Sequence, residues 1–297
     1  MKPPFPSVTS EWHNAPYAAI SPTLPALSVA GKTVLMTGGG RGIGSRIAYA
    51  FAAAGAKIVA ITGRTAASLE ESKAAIEKDF PNVTVVPLTS DVTDAEAINT
   101  AFAKIAAMNG GIHICVHNAG VAPPGAKIAE ISNAAARKDW WNGYEINVLG
   151  TLVVLNAFAQ HKAQGAKLCF IGTAASAVFP STMLGTSAYS MSKSAAAVLV
   201  QYFAAENPEI GVFTLHPGVV LTEMGSRGKK SGNTLPTDDI DLPAHFAVWL
   251  LSPEGEFLRN RFVWCNWDVN ELKEKTTKIT ETKGYLNIGM IGWPYRL

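Results

Sequence analysis

The chain has 297 residues and 48% hydrophobic content, enough apolar material for one large α/β domain or two small ones. Lys and Arg total 25 against 23 Asp and Glu, a net charge of +2, so no strong field is available to recruit nucleic acid or an anionic membrane. No apolar run approaches the ~20 residues that span a bilayer, and Cys115, Cys169 and Cys265 each sit in an apolar run without metal-ligand spacing, which predicts reduced core thiols in a cytoplasmic protein.

Residues 1–30 carry prolines at 3, 4, 6, 16, 22 and 25, which argues against helix and against central strand. Trp12, Tyr17, Ile20, Leu24 and Leu27 can dock on apolar surface, so an extended arm lying on the domain is expected. Residues 33–36 read as a short buried strand and 43–54 as a helix, and between them runs TGGGRGIG, with Gly38, Gly42 and Gly44 spaced G-x-x-x-G-x-G. Strand, glycine turn and helix in that order predict a pyrophosphate-binding turn. Glycine allows positive φ and close approach of backbone N–H groups, and the helix points its positive end at the anion.

The alternation continues with strands at 57–62, 83–88, 112–117, 167–172 and 211–215, and helices at 66–79, 94–108, 137–164 and 187–206, the second of these capped by Thr93 or Asp94. An irregular stretch at 222–241 is followed by a helix at 241–251, a final strand at 261–265 and a tail that is charged at first and apolar from Tyr285. This pattern predicts an α/β fold, a single doubly wound parallel sheet of about seven strands, with ligand bound beyond the carboxyl ends where strand order reverses. The expected organisation is an arm at 1–30, one domain at 31–269 and a tail at 270–297.

Tyr189 and Lys193 stand four apart near the start of a helix and so project from one face. A free tyrosine titrates at about 10, and an adjacent ammonium stabilises its phenolate, which suits it to proton transfer near neutrality. Together with the glycine turn and the NAG at 118–120, this pair resembles the short-chain dehydrogenase/reductase family over residues 31–269.

The resemblance implies a nicotinamide cofactor and assigns roles. Tyr189 exchanges the substrate proton, and Lys193 holds the nicotinamide ribose and lowers the tyrosine pKa. A serine thirteen residues before the tyrosine orients the carbonyl. Ser176 stands there, although GTAAS departs from the usual two serines, and a shifted register leaves Ala175 at the site with Thr173 as a substitute. Asn147 matches the helix asparagine that holds a proton-relay water. Gly38, Arg41, Gly42, Ile43 and Gly44 take the pyrophosphate turn, Asp91 and Val92 the adenine, Asn118, Ala119 and Gly120 the NAG turn, and Pro217, Gly218, Val220 and Thr222 the carboxamide clamp. His117, where asparagine is common, reads as structural.

Gly63 stands where an enzyme that prefers NAD places an acid, and Arg64 follows it, so with Arg41 the expected cofactor is NADP(H). Histidines 13, 113, 161, 216 and 245 lack metal-ligand spacing, and no metal site is expected. Trp140 and Trp141, with Phe179, Pro180, Met183, Leu184 and Met224, suggest a roomy apolar pocket for a small-molecule substrate. Val148, Leu152, Val153, Leu155, Val198, Leu199, Tyr202 and Phe203 exceed what one buried face needs, and the resemblance implies a homodimer through those helices. Residues 222–241 read as a lid. The arm, PGVV and tail are similar to a branch frequent among fungal proteins, which hints at a specialised-metabolite substrate. The expected function is carbonyl or secondary-alcohol redox chemistry. A non-redox cyclase or isomerase, and a cofactor-binding protein without turnover, are the alternatives.

Overall fold

A computed structural model describes residues 3–4, 6–178, 180–221 and 237–290. Strands β1 (Thr33–Thr37), β2 (Ile58–Gly63), β3 (Thr84–Thr89), β4 (Ile112–His117), β5 (Lys162–Ile171), β6 (Gly211–His216) and β7 (Phe262–Trp264) form one sheet in the order β3-β2-β1-β4-β5-β6-β7. Every neighbouring pair is parallel. A parallel sheet needs cover on both faces, and β1 and β6 are accordingly buried at every position.

Helices α1 (Gly42–Ala53) and α7 (Asp241–Leu251) cover one face, where Ile47, Phe51, Phe246 and Trp249 join Val34 and Leu215 in the core. On the other face α3 (Ala95–Met108), α5 (Gly150–His161) and α6 (Ser187–Glu206) bury Phe102, Phe158 and Val200 against Leu35 and Leu168. Helix α2 (Ala66–Asp79) packs beside β3. Asp94 caps α3 by accepting from Ala97 N at 3.0 Å, so of the two candidates the aspartate is the cap. Strand order reverses between β1 and β4, and that places the glycine turn after β1 beside the Asn118–Ala119–Gly120 turn after β4.

The helix expected at 137–164 is instead three elements. Helix α4 (Ala134–Tyr144) runs into a π turn at Glu145–Leu149, then into α5, and the chain enters β5 at Lys162. Gly150 explains part of this, since a Cβ there would lie 2.7 Å from Val92 Cγ2, and the widened turn lets the helix seat that closely. Trp140 and Trp141 lie inside α4.

The arm forms short 3₁₀ turns at Ala18–Ile20 and Pro25–Leu27. Trp12, Ile20 and Leu27 are buried in the core of the α1 face, whereas Leu24 is exposed. After β7 the chain forms α8 (Val269–Glu274) and α9 (Thr276–Glu281), and Leu272 and Ile279 enter the same core. Arg261 fastens this layer by donating to Ile279 O at 3.1 and 2.8 Å. Most of the expected lid, and with it Thr222 and Met224, lies outside the described residues, as does Phe179.

Candidate active site

A cleft of about 510 Å³ opens at the carboxyl edge of the sheet. Gly38, Arg41, Gly42 and Ile43 line it from the first turn, Gly63 and Arg64 from the end of β2, Asp91 and Val92 from the segment after β3, and Asn118, Ala119 and Gly120 from the turn after β4. Tyr189, Lys193 and Pro217 complete the wall, with Leu221 and Ile240 beside them. Residues from seven separate segments of sequence thus converge on one groove.

The glycine turn leaves no room for side chains. Gly38 and Gly42 have φ of +68° and +60°, and a Cβ on Gly44 would lie 2.2 Å from Gly38 O. Asn118 seals the turn by donating its Nδ2 to Thr37 O at 3.2 Å and Gly38 O at 3.1 Å. Among the described residues no side chain caps α1, and its first residues Gly42 and Ile43 face the cleft, an arrangement suited to an anion. Two buried hydroxyls, Thr62 Oγ1 and Ser90 Oγ, have no hydrogen-bond partner among the described residues, and both residues line the same groove. Backbone N–H groups for a pyrophosphate and idle hydroxyls beside Asp91 fit a dinucleotide.

Asp91 itself is held in place by Thr93, which donates its N–H at 2.9 Å and its hydroxyl at 2.8 Å to Oδ1. Burial works against its charge, but those bonds and Arg64, 3.9 Å away, keep the carboxyl below its usual range.

Lys193 is buried, donates to Ile171 O at 3.0 Å and lies 4.9 Å above the Phe170 ring. Burial lowers its pKa to about 8. A Cβ on Gly120 would sit 3.1 Å from its Nζ, so the missing side chain keeps space open beside the ammonium. Burial raises the Tyr189 pKa, and a hydrogen bond from the Thr173 hydroxyl opposes the rise. Desolvation of the phenol outweighs the Thr173 bond, so the tyrosine stands above its ordinary value.

Ser176, the residue at the expected spacing, is turned away. It lies in a 3₁₀ turn, Ala174–Ser176, and its Oγ donates to Thr173 O at 2.6 Å. The two residues Gly172 and Thr173 follow directly on β5, so the hydroxyl delivered to Tyr189 belongs to Thr173, and Ala175 is buried behind it. The extra turn between them is what counting back from the tyrosine misses.

Asn147 sits in the π turn, with Oδ1 accepting from Val121 N at 2.8 Å and Nδ2 donating to Val121 O at 2.9 Å and Ser192 Oγ at 2.9 Å. Its carbonyl accepts from Thr151 Oγ1 at 2.6 Å. Behind it, Thr37 Oγ1 accepts N–H groups from Asn118 and Ala119, each at 3.1 Å, so its proton goes to His117 Nδ1 at 2.8 Å. His117 Nε2–H then donates to Thr151 Oγ1 at 3.0 Å. Every direction in this chain is fixed, and burial, helped by Lys193, depresses the His117 pKa to about 3. His117 is neutral and ties the turn after β4 to the π turn.

Two histidines that read as featureless in sequence have defined partners. His216 Nδ1 accepts from Ala174 N at 3.1 Å and so holds the turn that presents Thr173. His13 Nε2 lies 3.0 Å from Asp268 Oδ2, joining the arm to the start of α8. Neither pairing leaves a spacing signal, because the partners are distant in sequence. Trp140, Trp141 and Tyr144 stack along α4 with centroids 5.3–6.5 Å apart, and Trp140 Nε1 donates to Ser187 Oγ at 3.0 Å.

A glycine cradle at the reversal point of an all-parallel sheet defines a doubly wound α/β protein of the nucleotide-binding class. The family model described as short chain dehydrogenase matches residues 32–231. A short chain dehydrogenase/reductase of Claviceps purpurea is 33% identical over 291 residues, covering 97% of this chain and 95% of that protein. A dehydrogenase/reductase structure from Sinorhizobium meliloti superposes with a TM-score of 0.71 at 29% identity, covering 83% of this chain and 98% of that one. A Burkholderia cenocepacia short chain dehydrogenase in complex with NADP gives 0.70 at 27% identity, covering 82% and 99%. The chain belongs to the short-chain dehydrogenase/reductase family of oxidoreductases, whose members bind a nicotinamide cofactor.

Proposed function

We propose that the protein is an NADP(H)-dependent oxidoreductase acting on a carbonyl or secondary-alcohol carbon of a bulky apolar small molecule. The observation that carries this reading is the half-buried Tyr189, which lines the glycine-cradled cleft with Lys193 one turn away and has Thr173 at its hydroxyl. Bound nicotinamide supplies or accepts the hydride. In the reducing direction Tyr189 Oη gives its proton to the substrate oxygen, and the Thr173 hydroxyl donates its hydrogen bond to the phenolate left behind. The Lys193 ammonium, fixed by Ile171 O, holds the ribose and offsets the phenolate charge.

Gly63, Arg41 and Arg64 at one end of the groove favour a ribose phosphate over a free hydroxyl. The stacked rings on α4, joined through Ser187 to the helix bearing Tyr189, favour a large apolar substrate. Thr173 beside Tyr189 supplies a hydroxyl for proton transfer and so favours redox chemistry over a non-redox cyclase. We also propose a homodimer through the faces of α5 and α6, where Leu152, Met191 and Tyr202 are exposed.

Titration with NADPH and NADH, followed by absorbance assays with bulky ketones and alcohols, tests the reading. NADPH binding tighter than NADH, with cofactor oxidation by at least one ketone, is expected. Equal affinities overturn the NADP preference; product formation without absorbance change overturns redox chemistry in favour of the cyclase or isomerase.

A further inference from the structure

The cleft wall after β6 is built on the half-buried carboxylate of Asp238. Asp238 Oδ2 accepts from Val219 N at 2.6 Å, Asp238 N donates to Val219 O at 2.9 Å, and Val220 pairs with Asp238 in a parallel bridge. Gly218 has φ +77°, and a Cβ there would lie 2.4 Å from Asp238 Oδ2, so the wall is moulded around this one side chain. Pro217 and Leu221 on one side of it, and Ile240 on the other, line the cleft.

The carboxylate is in turn held by the N-terminal arm. Its Oδ1 accepts from Asn266 Nδ2 at 2.9 Å, and the same amide nitrogen donates to His13 O at 2.9 Å. Backbone bonds run alongside: His13 N donates to Asn266 O and Asp239 N to Asn14 O, each at 2.8 Å. A second, aromatic route leaves the same point. Trp12 is buried edge-on to Trp264 at 5.9 Å, and Trp264 lies edge-on to His216 at 4.5 Å, the residue that holds the Thr173 turn.

We propose that residues 12–14 of the arm, acting through Asn266 and Asp238, position the wall at 217–221 for the cofactor, with Asn266 as the positioning residue. This rests on the nicotinamide-binding reading above. Covering the core alone would need apolar contacts such as Ile20 and Leu27, not an amide spending both of its N–H groups on a bridge from arm to wall. The arm is thereby a working part of the cleft, although it lies far from it in sequence.

Asn266→Ala cuts the bridge while leaving the backbone bond from His13 N to Asn266 O in place. Hydrogen exchange on the cofactor-free protein should then accelerate by about tenfold at 219–221 with β1 and β4 unchanged, because one net hydrogen bond is worth roughly that factor. NADPH binding, followed by its fluorescence, should weaken by about five- to tenfold for the same reason. Asp238→Asn, which sets an amide N–H against one of its two donors, should act in the same direction if Asn266→Ala does not fold. Unchanged exchange at 219–221 in a folded variant overturns the proposal, as does exchange that rises equally throughout the sheet. If the parent protein binds neither NADPH nor NADH, the cofactor reading fails, and the exchange result still decides whether the arm braces the wall.

Discussion

At the residue scale, three hydroxyls near one another are assigned different work, and substitution separates them. Tyr189→Phe removes the proton donor and should lower turnover by about 10²–10⁴-fold while cofactor still binds. Thr173→Val should cost about 10²-fold through the lost hydrogen bond to the developing charge. Ser176→Ala should stay within about threefold, since its hydroxyl serves only the Thr173 carbonyl. A large loss with Ser176→Ala and none with Thr173→Val in steady-state assays reverses the assignment. Lys193 adds a pH dependence whose sign is opposite to that of a paired surface lysine. Its folded pKa of about 8 lies below the 10.5 of an exposed lysine, so the unfolded chain binds the extra proton between those values. Burying the charge therefore costs stability below pH 8, and that cost is relieved as pH rises toward 10.5. Lys193→Met should be inactive yet more stable than the parent at neutral pH, with the gap in melting temperature closing by about pH 10. A gap that widens with pH contradicts the buried-ammonium account. Cofactor affinity of the parent should fall as pH climbs through about 8.

At the element scale, what was legible in the sequence and what was not divides by how local the cause is. The strands, the glycine turn and the Tyr189 helix carry their own periodicity and spacing, and apart from β5, which begins at Lys162 inside the expected helix, each forms where its residues predict. The π turn is not legible, because it exists through Asn147 bonds to Val121 and Ser192 and a Thr151 hydroxyl linked to His117, all made across the fold. Thr173 was legible only as a substitute for Ser176, for a related reason: the 3₁₀ turn after β5 consumes residues that a count from Tyr189 treats as extended loop. Thr151→Val tests the π turn. It leaves the His117 Nε2–H without its partner and should lower unfolding free energy by about 1–3 kcal/mol in urea titrations. No loss means that the network does not hold the turn. Gly44→Ala tests the cradle: a Cβ 2.2 Å from Gly38 O forces the turn apart, and the resulting overpacking of about 1–3 kcal/mol should weaken cofactor binding by about tenfold or more. Unchanged affinity by titration excludes the cradle as the phosphate site.

At the scale of the whole molecule, arm, sheet and tail share the core of the α1 face, and two buried neutral histidines make that assembly sensitive to acid. His117 and His216 are each depressed to about 3 by burial, from 6.5. The unfolded chain takes up protons at both sites below 6.5, so stability is lost as pH falls toward 3, by about 3 kcal/mol between pH 6.5 and about 5 for the pair. Flat urea midpoints over that range contradict this. The proposed dimer uses the outer faces of α5 and α6, where Leu155 and Phe203 are buried in the core and Leu152 and Tyr202 are exposed. Leu152→Glu should convert a dimer to a monomer by light scattering, and a parent that is already monomeric at micromolar concentration removes the proposal. The account as a whole turns on Tyr189 moving a proton in a redox step, so the most direct measurement mixes NADPH-loaded protein with a bulky apolar ketone and follows nicotinamide absorbance in one turnover. The parent should oxidise its cofactor, and Tyr189→Phe, binding NADPH equally well, should do so about 10²–10⁴-fold more slowly. Equal rates in the two proteins, or product without any absorbance change, contradict it.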